Sequence, residues 1–558
     1  MMEAELGLKL TLTLFIVVIL IGYILNLNKK FSRLIVAIVQ KTQINLPLVI
    51  LLIAGILGAL SFSPFNFSYF IIASILLLFY NVENRKKNSW RFDFVYGFCY
   101  GLTYFGLQLY WVVYSLYKII GTSLFIAIVG YTLFVAFLSI YIGLVVLIYH
   151  KCKTRKIAIN LVFLFPSIWV LFEWLRGWLL SGFPWSEIGY TQVNVIIFRG
   201  LYPLGGSYLV SWLCLSLIGV IYVFLQSLYK RNMSYYSVIR QNRFLYFYFF
   251  IIIFGGSYLS QINYTKPYGS PVSVALIQGN VSEGRKWNSN DFLAIYKKLI
   301  AKAKADIIVI PETAISSFKE YLPNGYLDKL IKIAKSNNAN LIVGIPKIIN
   351  DQKDYMNTAL VLTDPRKSYY SKYHLVPFGE YIPIKWLLSK FYSTINLPMV
   401  NFSAGAENQL PLIAGAQKIA FNICYENGFG AELIKSASQS FFMANISDMI
   451  WFDGAIAKDE HLQISEVRAL ENQRYYIQTT NTGLTAIIKP DGEIQGILPS
   501  SVEKTLFGNI QGRIGTTPFE QVGNYPIILF CLLLVILILA GKLGWLKNAA
   551  HHSSRGLS

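Results

Sequence analysis

Over the first 260 residues, long apolar runs alternate with short polar segments, and beyond them the rhythm changes. Leu10–Asn28 carries no charge and, as a helix rising ~1.5 Å per residue, is long enough to cross a bilayer core of ~30 Å. Further runs lie at Leu46–Leu60, Phe67–Tyr80, Phe94–Val113, Thr122–Tyr149, Ile157–Phe172, Leu204–Leu228 and Phe244–Leu259, with a last one at Tyr525–Gly541. Several fall short of ~18 residues and are weak span signals taken singly. Together they predict a polytopic α-helical membrane frame. The first run is not expected to be a cleaved signal peptide, because acidic Glu3 and Glu5 precede it and no small-residue cleavage site follows.

Between Gln261 and Asn524, short β-branched stretches alternate with helical patterns. Strands are expected at Ser273–Gln278, Asp306–Pro311, Asn340–Gly344, Thr358–Leu362, Lys418–Ile423, Ser440–Ile446, Tyr475–Thr480 and Leu484–Lys489. Helices are expected at Asp291–Lys304, Gly325–Ser336, Gly428–Ser438 and Ala455–Asn472. Alternation that ends in a strand-rich tail predicts an α/β domain with a mixed sheet. The chain thus divides into a frame (46–260), a soluble domain (261–524) and a closing span with its tail (525–558). Residues 1–45 add a span and a basic loop.

A composition of 54% hydrophobic and 14% charged residues, with mean hydropathy +0.48, fits this division and excludes a disordered chain or a disulfide-rich secreted scaffold. The net charge of +20 would by itself suggest nucleic acid. Its placement reverses that reading. Residues 261–524 hold 26 Lys/Arg against 23 Asp/Glu, so nearly all the excess belongs to the frame. Loops 29–45, 81–93, 150–156 and 229–243 carry four Lys/Arg each, while the alternate loops carry none, one (Lys118) and two (Arg176, Arg199). The positive-inside rule then places the basic loops and the C-terminal tail in the cytoplasm, and residues 261–524 outside as an exoplasmic domain tethered at both ends. Anionic lipid headgroups are the natural counter-charge there, and nucleic acid is not.

Of five cysteines only Cys424 lies in the soluble domain, so no internal disulfide forms there, and the thiol is either buried and inert or reactive. The five histidines make no ligand-spaced pattern, and neither metal nor cofactor is expected. In open α/β sheets, ligands gather beyond the carboxyl ends of strands. Glu312 follows one predicted strand, Cys424 follows another, and Lys372 lies between a strand and the turn-like Pro377-Phe378-Gly379-Glu380. A carboxylate to take the thiol proton, a thiol to attack, and an ammonium to stabilise thiolate and oxyanion are the parts of covalent acyl transfer. Each also has an ordinary reading: a small core hydrophobe for Cys424, a loop cap or ion pair for Glu312, a solvated side chain for Lys372. Glu380 and Glu426 are equally compatible with structural carboxylates.

These residues carry a resemblance. Pro311-Glu312, the stretch Lys372 to Pro383, and Ile423-Cys424-Tyr425-Glu426 resemble the Glu–Lys–Cys signature of the nitrilase superfamily. Ser61-Phe62-Ser63-Pro64, Leu175 to Trp185 (Leu-Arg-Gly-Trp-Leu-Leu-Ser-Gly-Phe-Pro-Trp), Lys286-Trp287, Arg468-Ala469-Leu470-Glu471 and Thr480-Asn481-Thr482-Gly483 are similar to its membrane-embedded branch, the apolipoprotein N-acyltransferases. The resemblance implies a nitrilase-like αββα sandwich and a two-step reaction at the outer face of a bacterial inner membrane. Cys424, activated by Glu312, would take an acyl chain from a phospholipid and pass it to the α-amine of a diacylglyceryl-cysteine on a lipoprotein. It further implies that Lys372 and the Tyr425 amide stabilise the oxyanion and that Glu380 is a second catalytic carboxylate. Asn357 would orient Lys372, and Trp287, Tyr425 and Glu426 would touch lipid or headgroup. A monomer is expected, with the catalytic domain in the periplasm.

Two features depart from that pattern. The family usually reads Ser-Asn-Asp-x-Trp-Phe-Gly where this chain has Ser447-Asp448-Met449-Ile450-Trp451-Phe452-Asp453, and residues 1–45 are additional to the usual frame. The same triad would serve a membrane-tethered amidase, with water as acceptor, and the lipid-like frame is what favours transfer. A transporter is disfavoured, because the predicted spans carry no charge at mid-span.

Overall fold

The computed structural model describes residues 45–84, 89–230, 240, 242–288, 291–318, 321–350, 354–366, 368–381, 402–452 and 455–555. The Leu10–Asn28 run, its basic loop, most of 229–243 and Ile382-Pro383 lie outside these residues, as does the side chain of Trp287.

The frame follows the apolar runs closely. Its helices are α1 (Leu46–Ala59), α2 (Phe70–Glu83), α3 (Trp90–Gln108), α4 (Leu124–Cys152), α5 (Ile157–Arg176), α6 (Tyr202–Lys230) and α7 (Arg243–Leu259). Among the described residues, α4, α5, α6 and the C-terminal helix beginning at Tyr525 are long and apolar enough to cross a membrane, whereas α1, α2 and α7 are shorter apolar helices. The run Phe94–Val113 is broken, because α3 ends at Gln108 and the chain turns through Leu109-Tyr110 before a short helix at Trp111–Tyr114. Apolar residues make this turn, so hydropathy does not mark it. At the other extreme, α5 runs four residues past the apolar stretch. One oxygen of its buried Glu173, Oε1, accepts from Trp169 Nε1 (2.9 Å) and from the Ile188 N–H (2.9 Å), which ties the helix end to the loop that follows. Helices α3 and α4 cross closely at Gly97, where a Cβ would lie 2.3 Å from the Ile142 carbonyl oxygen.

The soluble domain holds two six-stranded sheets and a two-stranded ribbon, where the residue pattern had suggested one mixed sheet. The strands are β1 (Thr265–Pro267), β2 (Val272–Gln278), β3 (Ile307–Val309), β4 (Asn340–Asn350), β5 (Asp354–Val361), β6 (Tyr369–Ser371) and β7 (Leu412–Ala414). They continue as β8 (Gln417–Ile423), β9 (Phe442–Ser447), β10 (Tyr476–Thr480), β11 (Thr485–Ile488), β12 (Ile494–Leu498), β13 (Lys504–Ile510) and β14 (Arg513–Gly515). One sheet runs β13-β2-β3-β4-β5-β6 and the other β12-β11-β10-β9-β8-β7. Leu276, Val309 and Ile342 from the first meet Phe421, Ile446 and Ile477 from the second in a dry core between the sheets. Helices α8 (Asp291–Lys302) and α9 (Tyr326–Ser336) cover the outer face of the first sheet, and α10 (Gly430–Ala437) and α11 (Ala457–Asn472) that of the second. This is the αββα sandwich. Its central strands are largely buried on both faces, as parallel strands are; β3 reads as a continuous β-branched run, whereas β8 and β9 mix Ile with Ala, Phe and Asn.

Buried polar contacts join the domain to the frame. The Ser207 N–H, at the kinked start of α6, donates to Glu471 Oε1 (3.1 Å), and Glu471 pairs with Arg468 (2.9 Å). Trp185 Nε1 donates to Glu460 (2.8 Å), Ser63 N–H to Gln463 (3.3 Å), and Ser115 Oγ to the Trp451 carbonyl (2.6 Å).

Candidate active site

Strand β8 delivers the nucleophile. Cys424 follows Ile423 directly, and its φ of +53° lies in the left-handed region that a residue with a Cβ avoids. The chain therefore turns sharply out of the strand into a short helical turn at Cys424–Gly428. Glu312 lies just beyond β3, after Ile310-Pro311, and close approach to β4 fixes its height. Gly344 on β4 has no side chain, and a Cβ there would lie 2.1 Å from the Pro311 carbonyl oxygen and 2.8 Å from Glu312 Cα. Lys372 leaves β6, a strand too short for the sequence pattern to register, and its N–H donates to the Asn357 carbonyl on β5 (2.8 Å).

The three side chains converge and are buried, Lys372 being 1%, Glu312 6% and Cys424 9% exposed. Lys372 Nζ lies 2.9 Å from Glu380 Oε1 and 3.4 Å from Glu312 Oε1. Asn357 Nδ2 donates to the same two carboxylates, at 2.7 Å to Glu312 and 3.3 Å to Glu380. Glu312 Oε2 accepts the Asp448 N–H (2.7 Å), and Glu380 Oε2 accepts the Val376 N–H (2.8 Å). Asn357 thus orders the carboxylates that flank Lys372.

Burial pushes the Glu312 carboxyl up, and the Lys372 ammonium only partly offsets this. Desolvation alone would lower Lys372, yet Glu380 and Glu312 on either side hold it well above the ordinary lysine range, so it stays charged. The Cys424 thiol is pushed far up, by burial first and then by the neighbouring Glu312. Burial thus disfavours the thiolate of Cys424 beside the Glu312 carboxyl, while Lys372 is held as the cation. This arrangement suits proton transfer coupled to attack better than a standing thiolate.

Glu426 differs from its expected role as a substrate contact. Its oxygens are turned inward: Oε1 accepts from Tyr370 OH (2.9 Å) and from the N–H groups of Tyr373 (2.7 Å) and His374 (3.0 Å), and Oε2 from the Ile423 N–H (2.7 Å). It clamps the Lys372 segment onto the nucleophile strand, and burial raises its carboxyl to about 7. Tyr425 lies at the seam with the frame, its hydroxyl donating to the Gly182 carbonyl (2.9 Å) and its ring packing near Phe183 and Phe429. Trp287 belongs to a short helix at Glu283–Asn288 that enters the site from the other sheet.

Sequence reasoning assigned no role to Lys286. Its Nζ makes a buried ion pair with Asp448 and donates to Thr313 Oγ1 (2.6 Å), and Asn481 Nδ2 donates to Asp448 Oδ1 (3.1 Å). The departure at Ser447-Asp448-Met449 thereby gains a physical meaning. The carboxylate one position early in this chain is the buried counter-ion of Lys286, and the Asp448 N–H orients the Glu312 carboxylate. Among the described residues no cluster of His, Cys, Asp and Glu is arranged to hold a metal.

Two known families match separate parts of the chain, and the site lies within the second. The family described as the apolipoprotein N-acyltransferase N-terminal domain matches residues 54–220, and that described as carbon-nitrogen hydrolase matches residues 273–519. The apolipoprotein N-acyltransferase of Chromobacterium violaceum is 35% identical over 510 residues, covering 90% of this chain and 96% of the relative. That of Neisseria meningitidis is 34% identical over 513 residues, covering 90% and 97%. Among solved structures, a CN-hydrolase superfamily protein from Xanthomonas campestris aligns with TM-score 0.32 and 16% identity over 47% of this chain and 97% of its own. With such relatives matched along nearly their whole length, a membrane frame joined to a carbon-nitrogen hydrolase sandwich identifies the chain as a member of the apolipoprotein N-acyltransferase family.

Proposed function

We propose that this chain acylates the N-terminal amine of apolipoproteins by a two-step transfer through Cys424. The observation that carries the reading is the buried Glu312–Lys372–Cys424 constellation at a left-handed elbow, joined directly to a membrane frame. In the first step Glu312 takes the thiol proton as sulfur attacks the ester carbonyl of a phospholipid. Lys372 and the Tyr425 N–H stabilise the oxyanion, the C–O bond breaks, and the proton passes to the departing lysophospholipid hydroxyl. In the second step the free α-amine of a diacylglyceryl-cysteine attacks the thioester. An amide forms, the C–S bond breaks, and Glu312 returns the amine proton to the thiolate. Glu380 and Asn357 keep the base and the cation in register.

The same reading takes 46–260 as the frame, 261–524 as the catalytic domain and 525–558 as the closing span and tail. Alternation of basic loops supports a bacterial inner-membrane protein with its catalytic domain in the periplasm, and on this proposal it acts as a monomer. Intact-protein mass spectrometry after incubation with phospholipid alone tests it. One acyl mass on Cys424, removed by hydroxylamine and lost in Cys424→Ala, is the expected result. Absence of the adduct on the active protein refutes the thioester route.

A further inference from the structure

Beneath the nucleophile lies a polar floor that the triad does not use. Asn422, Asn427, Asn445, His461, Ser465, Tyr476 and Gln478 are buried and hydrogen-bonded to one another inside an otherwise apolar layer. A network of this kind is retained where it fixes one geometry, because any unpaired member is penalised. Two of its members reach the backbone of Cys424. His461 Nε2 lies 3.1 Å from the Cys424 carbonyl oxygen, and Asn445 Nδ2 lies 3.3 Å from it.

The Cys424–Tyr425 peptide is trans, so its C=O and the Tyr425 N–H point in opposite directions from one rigid plane. Whatever grips the oxygen aims the N–H. We propose that His461 is a positioning residue for the oxyanion site: by donating from Nε2 to the Cys424 carbonyl, it turns the Tyr425 N–H toward the oxyanion. The inference rests on the acyl-transfer reading above. The ring is deeply buried, and burial lowers it to about 4, so it is neutral and carries one proton. On this proposal that proton sits on Nε2, facing the Cys424 carbonyl, because Gln478 Oε1 beside Nδ1 (3.0 Å) already accepts from Ser465 Oγ (2.5 Å) while the Gln478 amide nitrogen is committed to the Leu484 carbonyl (2.8 Å). The frame buttresses the ring. Trp185 packs on His461 at 6.4 Å between ring centres while its indole N–H holds the adjacent Glu460.

The test compares two reactions of one thiol. Alkylation by iodoacetamide forms no oxyanion, whereas thioester formation from phospholipid does. His461→Met is expected to slow single-turnover thioester formation about 100-fold, near the loss of one oxyanion donor, while alkylation of Cys424 changes by less than about threefold. His461→Gln, which can place an amide N–H near the lost Nε2, is expected to recover most of the acylation rate. Nitrogen-15 spectra of histidine-labelled wild type, assigned by the signal missing in His461→Gln, are expected to show the Nε2–H tautomer. This readout stands even if His461→Met does not fold. Unchanged acylation in His461→Met, a parallel loss of alkylation, or an Nδ1–H tautomer overturns the proposal. If wild type itself forms no adduct, the underlying acyl-transfer reading fails instead.

Discussion

Changing Asp448 to Asn while leaving its backbone in place isolates the buried Lys286–Asp448 pair. Side chains of the pair are 3% and 7% exposed, and besides Asp448 the Lys286 ammonium has a bond to Thr313 Oγ1. Asp448→Asn is nearly isosteric and keeps the N–H that holds Glu312, but it strands a buried cation. Breaking one side of such a pair costs ~3–5 kcal/mol, whereas replacing both partners by neutral groups of similar volume is often close to neutral. At ~2 °C per kcal/mol for a unit of this size, the single variant should melt about 6–10 °C lower. Lys286→Met combined with Asp448→Asn should recover most of that loss. Thermal unfolding in detergent, followed by the fluorescence of the protein's tryptophans, reads both. A single variant within ~2 °C of wild type, or a double variant no better than the single, would show that the pair is not a structural counter-ion.

Other expectations follow from the same geometry. Gly344→Ala places a methyl group on the Pro311 carbonyl and should displace Glu312, lowering single-turnover acylation by about 10²-fold in a protein that still folds. Asn357→Leu removes a bond that favours ionised Glu312; the carboxyl, already raised by burial, should rise further. The acid limb of kcat/KM should therefore move to higher pH, and an unmoved limb would contradict the role given to Glu312. Burial raises Glu460 and Glu466 to about 8 from an ordinary 4.5, so the folded state binds their protons more tightly than the unfolded state does. Stability from these groups is thus full below about 4.5 and is lost as pH rises toward 8. Melting temperature should fall between pH 5 and pH 8, and Glu466→Gln should make that fall smaller.

The sequence revealed those parts of the molecule that depend on local pattern. A bilayer demands apolar length, so Leu204–Leu228 anticipates α6 to within two residues at each end. Glu312 is legible because β3 is a continuous β-branched run whose exit is easy to mark, and Cys424 because the mostly apolar stretch Ile419–Ile423 ends at it. Lys372 was found without its strand, since β6 is three residues long. Four of the second sheet's six strands were legible; β12 was not, because Ile494-Gln495-Gly496-Ile497 lacks a two-residue alternation and lies at a partly exposed edge. What the sequence could not reveal is pairing across distance. Lys286 and Asp448 are 162 residues apart, and His461 reaches Cys424 from 37 residues downstream. Glu426 sits beside the nucleophile in sequence, which suggested substrate contact, but the fold turns its carboxylate inward.

The seam between frame and sandwich sets a height. Tyr425 OH donating to the Gly182 carbonyl, and Trp185 and Ser207 donating to Glu460 and Glu471, fasten the turn that follows Cys424 and α11 to the frame, so Cys424 is held at a fixed height. Under the proposed transfer from phospholipid, the ester would have to rise to the sulfur, and the bilayer would decide how far. Thickness would then become a kinetic variable, because vesicles with longer or shorter acyl chains shift the ester plane against a fixed thiol. On that proposal the protein acts as a gauge, most active in the membrane whose ester layer lies level with Cys424.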